Sequence, residues 1–387
     1  MSISDNNTGE SKSFSMLHAA KWYAPVVGGI ETAAIDITGA VQEKADVKIL
    51  VCSENKKRGY SETEAGVPVH RVKTYRSICS MPISFEYLRA FRKLSKEVDL
   101  IQIHAPFPLS DLALLLCPRR KRSKVAVWWH SDVVKQKKLM FFYKPLMHYM
   151  LRRADIIFVA SKTIAEKSAY LGKYSDKVKV IPFGINLDNY KDCKIDGYLT
   201  DMLTDKKNIK LLFVGRLVYY KGMDILLEAM SKSEGAELFV IGYGELDEEL
   251  RNKSVELGIT DKVHFLGKVG EDELYSAFSD CDVFVLPSVS RSECFGLVQL
   301  EAMAYGKPII NTALPTGVPD VSIDGETGIT VEPGDVDALA RAIETFVNDD
   351  EKRLSYGKAA KKRCETHFVL KDMQSKLYIE YLKLLGK

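Results

Sequence analysis

A chain of 387 residues, 46% hydrophobic and 28% charged, holds material for two domain cores and excludes a disordered or low-complexity protein. No apolar run approaches the roughly 18 residues that a membrane-crossing helix needs, and the seven scattered Cys form no CxxC or metal-ligand spacing, as expected of reduced thiols in a cytoplasmic protein. The net charge of +3 conceals a basic half and an acidic one: residues 1–185 carry 30 Lys+Arg against 17 Asp+Glu, residues 186–387 carry 25 against 35. A half so basic is expected to face an anionic surface.

Residues 1–13 are polar, lack an apolar segment and read as a disordered tail. Phe14 to Ala20 is the first predicted strand. A turn containing Gly28 and Gly29 follows, and Glu31 opens a helix with apolar positions at Ala34, Ile35, Ile37 and Val41. Glycines at such a turn let a phosphate or acceptor approach the backbone at a helix N-terminus; alone, such a pair is a structural turn in most proteins. Val47 to Cys52, Val67 to Val72 and Leu100 to His104 are further strands, and Pro82 to Leu94 is predicted as a helix. The alternation indicates a parallel sheet flanked by helices.

The basic run Arg119 to Lys124 precedes the strand Val125 to Trp129, whose carboxyl end carries His130, Ser131 and Asp132. Lys135, Lys137, Lys138, the apolar Leu139 to Tyr143, and Arg152-Arg153 follow. This is either a solvated helix face or a surface for an anionic leaflet, where each Lys or Arg contributes on the order of 1 kcal/mol. No base-stacking module or helix-turn-helix accompanies it, so no nucleic-acid partner is expected. A strand-end His such as His130 is ordinarily a hydrogen-bonded structural residue, although it stands at the end of the sheet where ligands bind. Ser161 is placed to cap a helix from Lys162 to Tyr170. Val178 to Pro182 is a strand, a boundary falls near 185, and polar residues 188–207 form a linker.

The second half repeats the pattern. A strand from Lys210 to Val214 leads into Gly215-Arg216-Leu217 and on to Lys221-Gly222, so Arg216 and Lys221 share one strand-to-helix loop. An Arg can grip phosphate bidentately and a Lys supplies a mobile charge; unassisted, such a pair is common surface decoration. Leu238 to Ile241 ends in Gly242-Tyr243-Gly244, and Val263 to Leu266 in Gly267-Lys268-Val269. Val283 to Leu286 is a buried strand, Glu293 lies in the following loop, and a helix then carries Glu301 about two turns in. The amides of Phe295, Gly296 and Leu297 would face an anion there. Asp280-Cys281-Asp282 has the form of a D-x-D metal motif but precedes its strand, at the wrong end of the sheet, and is rejected as a metal site. From about Lys371 an amphipathic helix (Met373, Leu377, Tyr381, Leu384) is expected to cross back onto the first domain.

The run S-x-x-E-C-F-G-L-V-x-L-E-A-M-A-x-G-K-P-I-I, from Ser290 to Ile310, resembles the signature of the retaining glycosyltransferases of family 4. Gly28-Gly29-x-Glu31, Gly215-Arg216-Leu217 with Lys221-Gly222, and Pro182-x-Gly184-Ile185-Asn186 also match the family, in order, from Phe14 onward. The resemblance implies an α/β GT-B fold, two Rossmann-like doubly wound domains facing across a cleft. The expected organisation is an acceptor-binding domain over 14–185, a nucleotide-sugar-binding domain over 186–370, and a C-terminal helix over 371–387 that crosses back. The family's usual G-G/S-G start of the closing loop is here Leu314-Pro315-Thr316-Gly317.

That resemblance also implies roles. Arg216 and Lys221 hold the diphosphate, Glu293 the sugar hydroxyls, Glu301 the ribose, and His130 the donor sugar from the opposite face. Gly28, Gly29, Gly215, Gly242, Gly244, Lys268, Val269, Cys294, Phe295, Gly296 and Leu297 line the donor. Glu31 and Asp132 lie on the acceptor side. Loss of the nucleoside diphosphate proceeds without metal or other cofactor, and front-side attack accounts for retention without a protein nucleophile. The Trp129-His130-Ser131-Asp132 run with Lys135, Gln136 and Lys137 is similar to members that build bacterial O-antigen or capsule. The expectation is a hexosyltransferase moving mannose from GDP-mannose to a lipid-linked saccharide, peripheral on the inner face of the plasma membrane. The alternatives are a GT-B transferase using a UDP-sugar or a soluble acceptor, and a catalytically silent nucleotide-sugar-binding scaffold. A nicotinamide dehydrogenase is disfavoured because no G-x-G-x-x-G turn occurs.

Overall fold

The computed structural model describes residues 12–26, 28–53, 59–78, 81–117, 123–133, 137–190 and 195–387. Contacts divide the chain into two α/β units. The first takes residues up to Val159, Lys173–Ile181 and Gln374–Lys387; the second takes Ala160–Gly172 and Pro182–Met373.

In chain order the first unit contains β1 (Ser15–Ala19), α1 (Gly29–Gly39), β2 (Asp46–Cys52), β3 (Tyr60–Glu64), β4 (Val67–Val72), the antiparallel pair β5 (Arg76–Ile78) and β6 (Met81–Ile83), α2 (Phe85–Leu94), β7 (Leu100–Ala105), α3 (Pro108–Leu115), β8 (Lys124–Trp129), α4 (Lys137–Arg153) and β9 (Ile156–Val159). Helix α5 (Lys162–Lys167) belongs to the second unit, and β10 (Val178–Val180) returns to the first. Its sheet runs β10-β9-β8-β7-β1-β2-β4-β3, with only the β3–β4 pairing antiparallel. The central strands are near-continuous apolar runs, as sheets covered on both faces require. Strand order reverses between β1 and β7, so the loops that leave their carboxyl ends diverge around a switch point.

One sequence expectation is corrected here. Pro82 belongs to β6, not to a helix, and α2 starts at Phe85 because the Ser84 side chain accepts the amide of Tyr87 at 3.1 Å. A capping hydroxyl in extended backbone fixes a helix start more sharply than hydrophobic spacing does.

The second unit continues with β11 (Ile209–Val214), α6 (Met223–Lys232), β12 (Ala236–Ile241), α7 (Asp247–Glu256), β13 (Val263–Gly267), α8 (Glu271–Asp280), β14 (Val283–Val285), α9 (Val298–Ala304), β15 (Ile309–Thr312), α10 (Val318–Val321), β16 (Gly328–Val331), α11 (Val336–Asn348) and α12 (Asp350–His367). All six strands are parallel, in the order β13-β12-β11-β14-β15-β16. Phe213, Leu226, Met230, Leu238, Val285 and Phe346 lie at its core. Residues 195–208 are not a loose tether: Leu199 is fully buried, and its amide and that of Thr200 each donate to Asp280 at 2.7 Å. Asp280 and Asp282 also hold Lys210, at 3.3 and 3.6 Å, which gives that acidic pair a structural task at the amino end of the strands.

Helix α13 (Leu370–Leu385) starts in the second unit, and from Gln374 it belongs to the first. Within the first unit Leu377 and Tyr381 are fully buried, each contributing roughly 1.5–3 kcal/mol or more. The Tyr381 hydroxyl donates to Gln102 Oε1 at 2.7 Å, and its ring meets Phe158 edge-on at 5.7 Å.

Candidate functional site

The second sheet reverses strand order between β11 and β14, so the loops after these two strands straddle its switch point. The loop after β11 carries Arg216 and Lys221, and the loop after β14 carries Glu293. They meet. Lys221 Nζ lies 2.6 Å from Glu293 Oε2, with both side chains only about one-tenth exposed, at 10% and 11%. Ser288 Oγ donates to the same Glu293 oxygen at 3.3 Å. The amide of Val289 donates to the Tyr220 carbonyl at 2.9 Å, joining the loops through backbone as well. Gly222 makes this approach possible: at φ 69° a side chain is strained, and a Cβ there would strike the Pro287 carbonyl oxygen. Arg216 stays exposed and donates to the Tyr220 hydroxyl at 2.9 Å. One charged pair is thus preorganised and buried, and one guanidinium stands in solvent beside it.

Two more expected residues serve close backbone approach. Gly242, at φ 142°, lies against the Gly215 carbonyl, and Gly244 against that of Leu217. The Gly242 amide donates to Gly267 at 2.8 Å, and the Leu217 amide to Tyr243 at 3.0 Å. The loops after β11, β12 and β13 are therefore stitched into one floor at the carboxyl end of the sheet. Lys268 is exposed at its edge and Val269 is half-buried.

The Phe295 ring is core: it packs edge-on against Phe183 at 5.5 Å and Phe368 at 6.1 Å. The Cys294 carbonyl accepts the Gly317 amide at 2.6 Å, so the Thr316–Gly317 turn closes on this loop. Among the described residues, no backbone acceptor takes the amides of Phe295, Gly296 or Leu297. Helix α9 begins at Val298, which corrects the position of Glu301 from two turns in to the first turn. Residues Cys294 to Leu297 form an irregular approach in which Gly296 adopts φ 71°, so the helix starts later than its apolar spacing indicates. Desolvation pushes the Glu301 carboxyl up to about 7, with a hydrogen bond from Tyr190 opposing the rise. Tyr190 in turn packs on Tyr275 at 5.4 Å and Tyr305 at 6.0 Å.

In the first unit Glu31 lies in the first turn of α1 and folds back, its carboxylate directly against Gly28; Gly29 is exposed. Asp132 accepts the indole N–H of Trp129 at 3.2 Å. His130 follows β8 and is buried. Its Nε2 lies 2.7 Å from His104 Nδ1, and His104 Nε2 lies 2.5 Å from His18 Nε2. The rings stack at 4.8 and 5.0 Å, nearly parallel. Burial drives His18 and His130 down to about 3 and His104 well below its ordinary value, so all three are neutral imidazoles.

His18, His104, Ser288 and Tyr190 escaped sequence reasoning. A signal existed for the first two: each is a lone His near the carboxyl end of an apolar strand, as His130 is. Of the expected basic surface, Arg119 to Arg122 and Lys135 lie outside the described residues, but Phe141 and Phe142 on α4 are each 78% exposed.

Residues 200–363 match the family described as Glycosyl transferases group 1, and residues 27–189 match Glycosyltransferase Family 4. The chain is 32% identical over 361 residues to the O-antigen chain mannosyltransferase C of Escherichia coli, covering 92% of this chain and 95% of that protein. It is 33% identical over 299 residues to the D-rhamnosyltransferase WbpZ of Pseudomonas aeruginosa, 77% of each chain. Among solved structures, Anabaena Alr3699/HepE in complex with UDP-glucose shares its fold, with a TM-score of 0.76, 22% identity, and coverage of 96% of this chain and 99% of that one. The loops that converge at the switch point of the second sheet are those that carry the family's motifs, and the chain belongs to glycosyltransferase family 4, with the GT-B fold.

Proposed function

We propose that this glycosyltransferase moves mannose from GDP-mannose, with retention of configuration, onto a lipid-linked saccharide in bacterial surface polysaccharide synthesis. The observation that carries the reading is the buried Lys221–Glu293 pair with Arg216 beside it, at the carboxyl-end switch point of a chain 32% identical to an O-antigen mannosyltransferase. Negative charge grows on the departing diphosphate, so positive groups held there act on the transition state. Arg216, unburied, is available to grip a phosphate bidentately. Lys221, already paired with Glu293, supplies a fixed counter-charge that need not reorganise. Glu293 keeps an oxygen for a sugar hydroxyl, and Glu301 accepts from the ribose. No metal is needed in this scheme; transfer persists in excess chelator.

The acceptor half of the proposal includes docking of the first unit on an anionic leaflet. The surplus of Lys and Arg over residues 1–185 and the exposed rings of Phe141 and Phe142 support it. Thermal shift against a panel of nucleotide sugars, followed by transfer to extracted lipid-linked oligosaccharide, tests the whole. Stabilisation by UDP-sugars alone rejects the donor, and turnover on soluble saccharide without vesicles rejects the acceptor. A second donor, carrying rhamnose, is favoured by the 33% identity to the D-rhamnosyltransferase and belongs in the same panel.

A further inference from the structure

The three buried histidines are joined to a fourth group whose proton is already committed. His18 Nδ1 lies 2.9 Å from Thr38 Oγ1, and Thr38 Oγ1 lies 2.9 Å from the carbonyl oxygen of Ala34 one turn back in α1. In this bond the Thr38 hydroxyl donates, since a carbonyl has no proton to give. Towards His18, therefore, Thr38 can only accept.

The rest follows ring by ring, because a neutral imidazole carries one N–H. His18 must hold its proton on Nδ1, which leaves Nε2 bare. That bare nitrogen meets His104 Nε2 at 2.5 Å, so His104 carries its proton there and leaves Nδ1 bare. His104 Nδ1 meets His130 Nε2 at 2.7 Å, so His130 is protonated on Nε2. Every hydrogen bond from Ala34 to His130 then has one donor and one acceptor, with no other arrangement of neutral rings doing so.

We propose that Thr38, His18 and His104 are positioning residues that hold His130 in a single tautomer, with Nε2–H turned into the relay and Nδ1 kept as an acceptor. Whatever group faces Nδ1 must donate to it, as a hydroxyl does and a fully ionised phosphate oxygen cannot. In a sheet interior of low dielectric the chain is cooperative, so a defect at Thr38 is felt three rings away. The relevance to transfer rests on the role proposed for His130 at the donor sugar; the tautomer itself does not.

The experiment is long-range 1H–15N correlation on the 15N-histidine-labelled full chain, assigned with His18→Asn, His104→Asn and His130→Asn. Expected are His18 with Nδ1–H and His104 and His130 with Nε2–H. A His130 signal with Nδ1–H, or one averaging between tautomers, overturns the relay. Thr38→Val should disturb the His130 tautomer and lower kcat by about fivefold to tenfold, the weight of one neutral hydrogen bond, while Thr38→Ser restores both. Should Thr38→Val fold poorly, the wild-type spectrum and Thr38→Ser still decide. Expected tautomers with transfer unchanged in His130→Asn would sink the sugar-contact reading and leave the relay standing; inverted tautomers with transfer lost in His130→Asn would do the opposite.

Discussion

Replacing Lys221 by Met, Glu293 by Gln, and both together separates what their pair does for the fold from what it does for the reaction. At 2.6 Å and an effective dielectric constant of about 20, the mutual attraction is roughly 6 kcal/mol, most of it offset by desolvation of two ions that are 10% and 11% exposed. Removing one partner therefore does not simply forfeit a small net gain. It strands the other charge in a site built for a pair, at a cost of about 3–5 kcal/mol. Each single variant is expected to unfold at a midpoint lower by about 10 °C, taking roughly 2–4 °C per kcal/mol for a unit of this size. The double variant has no stranded charge and should recover at least ~2 kcal/mol relative to the sum of the singles. Turnover behaves differently: all three should lose about 10²-fold or more, because the counter-charge at the diphosphate is missing in Lys221→Met and the double variant, and the sugar contact in Glu293→Gln. Urea and thermal unfolding read the first effect, and nucleotide release at saturating donor the second. Additive destabilisation, or full transfer by Lys221→Met, refutes the reasoning.

Glu301→Gln should stabilise the protein while weakening nucleotide binding. The Glu301 carboxyl is raised from 4.5 to about 7, so the native state favours its neutral form; that contribution is complete below about pH 4.5 and lost as pH rises through 7. The Gln variant accordingly gains up to about 3 kcal/mol at pH 8 and nothing at pH 4.5, and a thermal-midpoint difference independent of pH would contradict this. Gly222→Ala puts a Cβ onto the Pro287 carbonyl at φ 69°, with an expected cost of roughly 1–3 kcal/mol for strain alone and a displaced Lys221; chemical denaturation with unchanged stability would show that the two loops are not in contact. Phe141→Ser with Phe142→Ser removes two rings that are each 78% exposed, so stability should change by less than about 0.5 kcal/mol per site while co-sedimentation with anionic vesicles falls. Equal sedimentation of both proteins would reject these rings as a docking element.

The alternation of apolar runs with polar, helix-spaced segments was enough to read two parallel sheets, because strands buried on both faces leave a strong local signal. The loops holding Arg216, Lys221 and Glu293 were legible one at a time. Their pairing was not: Lys221 and Glu293 meet only because β14 lies beside β11, an adjacency no local spacing encodes, and the family resemblance put both at one donor without implying the ion pair. The histidine relay was illegible for a related reason. His18 and His104 sit on neighbouring strands and His130 directly follows the next one, in a register that only the assembled sheet defines. The helix start placed too early at Pro82 shows the reverse failure, hydrophobic spacing outweighing a capping Ser that was visible all along. The first turn of α9 was misplaced because irregular backbone around Gly296 mimics helical spacing.

Helix α13 carries an implication for synthesis. Its Leu377 and Tyr381 fill the first unit, but they are made only after every strand of the second sheet. A nascent chain can therefore finish the later-encoded unit while the earlier one still lacks a wall, with Phe158 and Gln102 waiting for the ring and hydroxyl of Tyr381. The order of translation and the order of completion run in opposite directions, and shortening the chain before Gln374 should damage the half of the protein farthest from the cut in sequence.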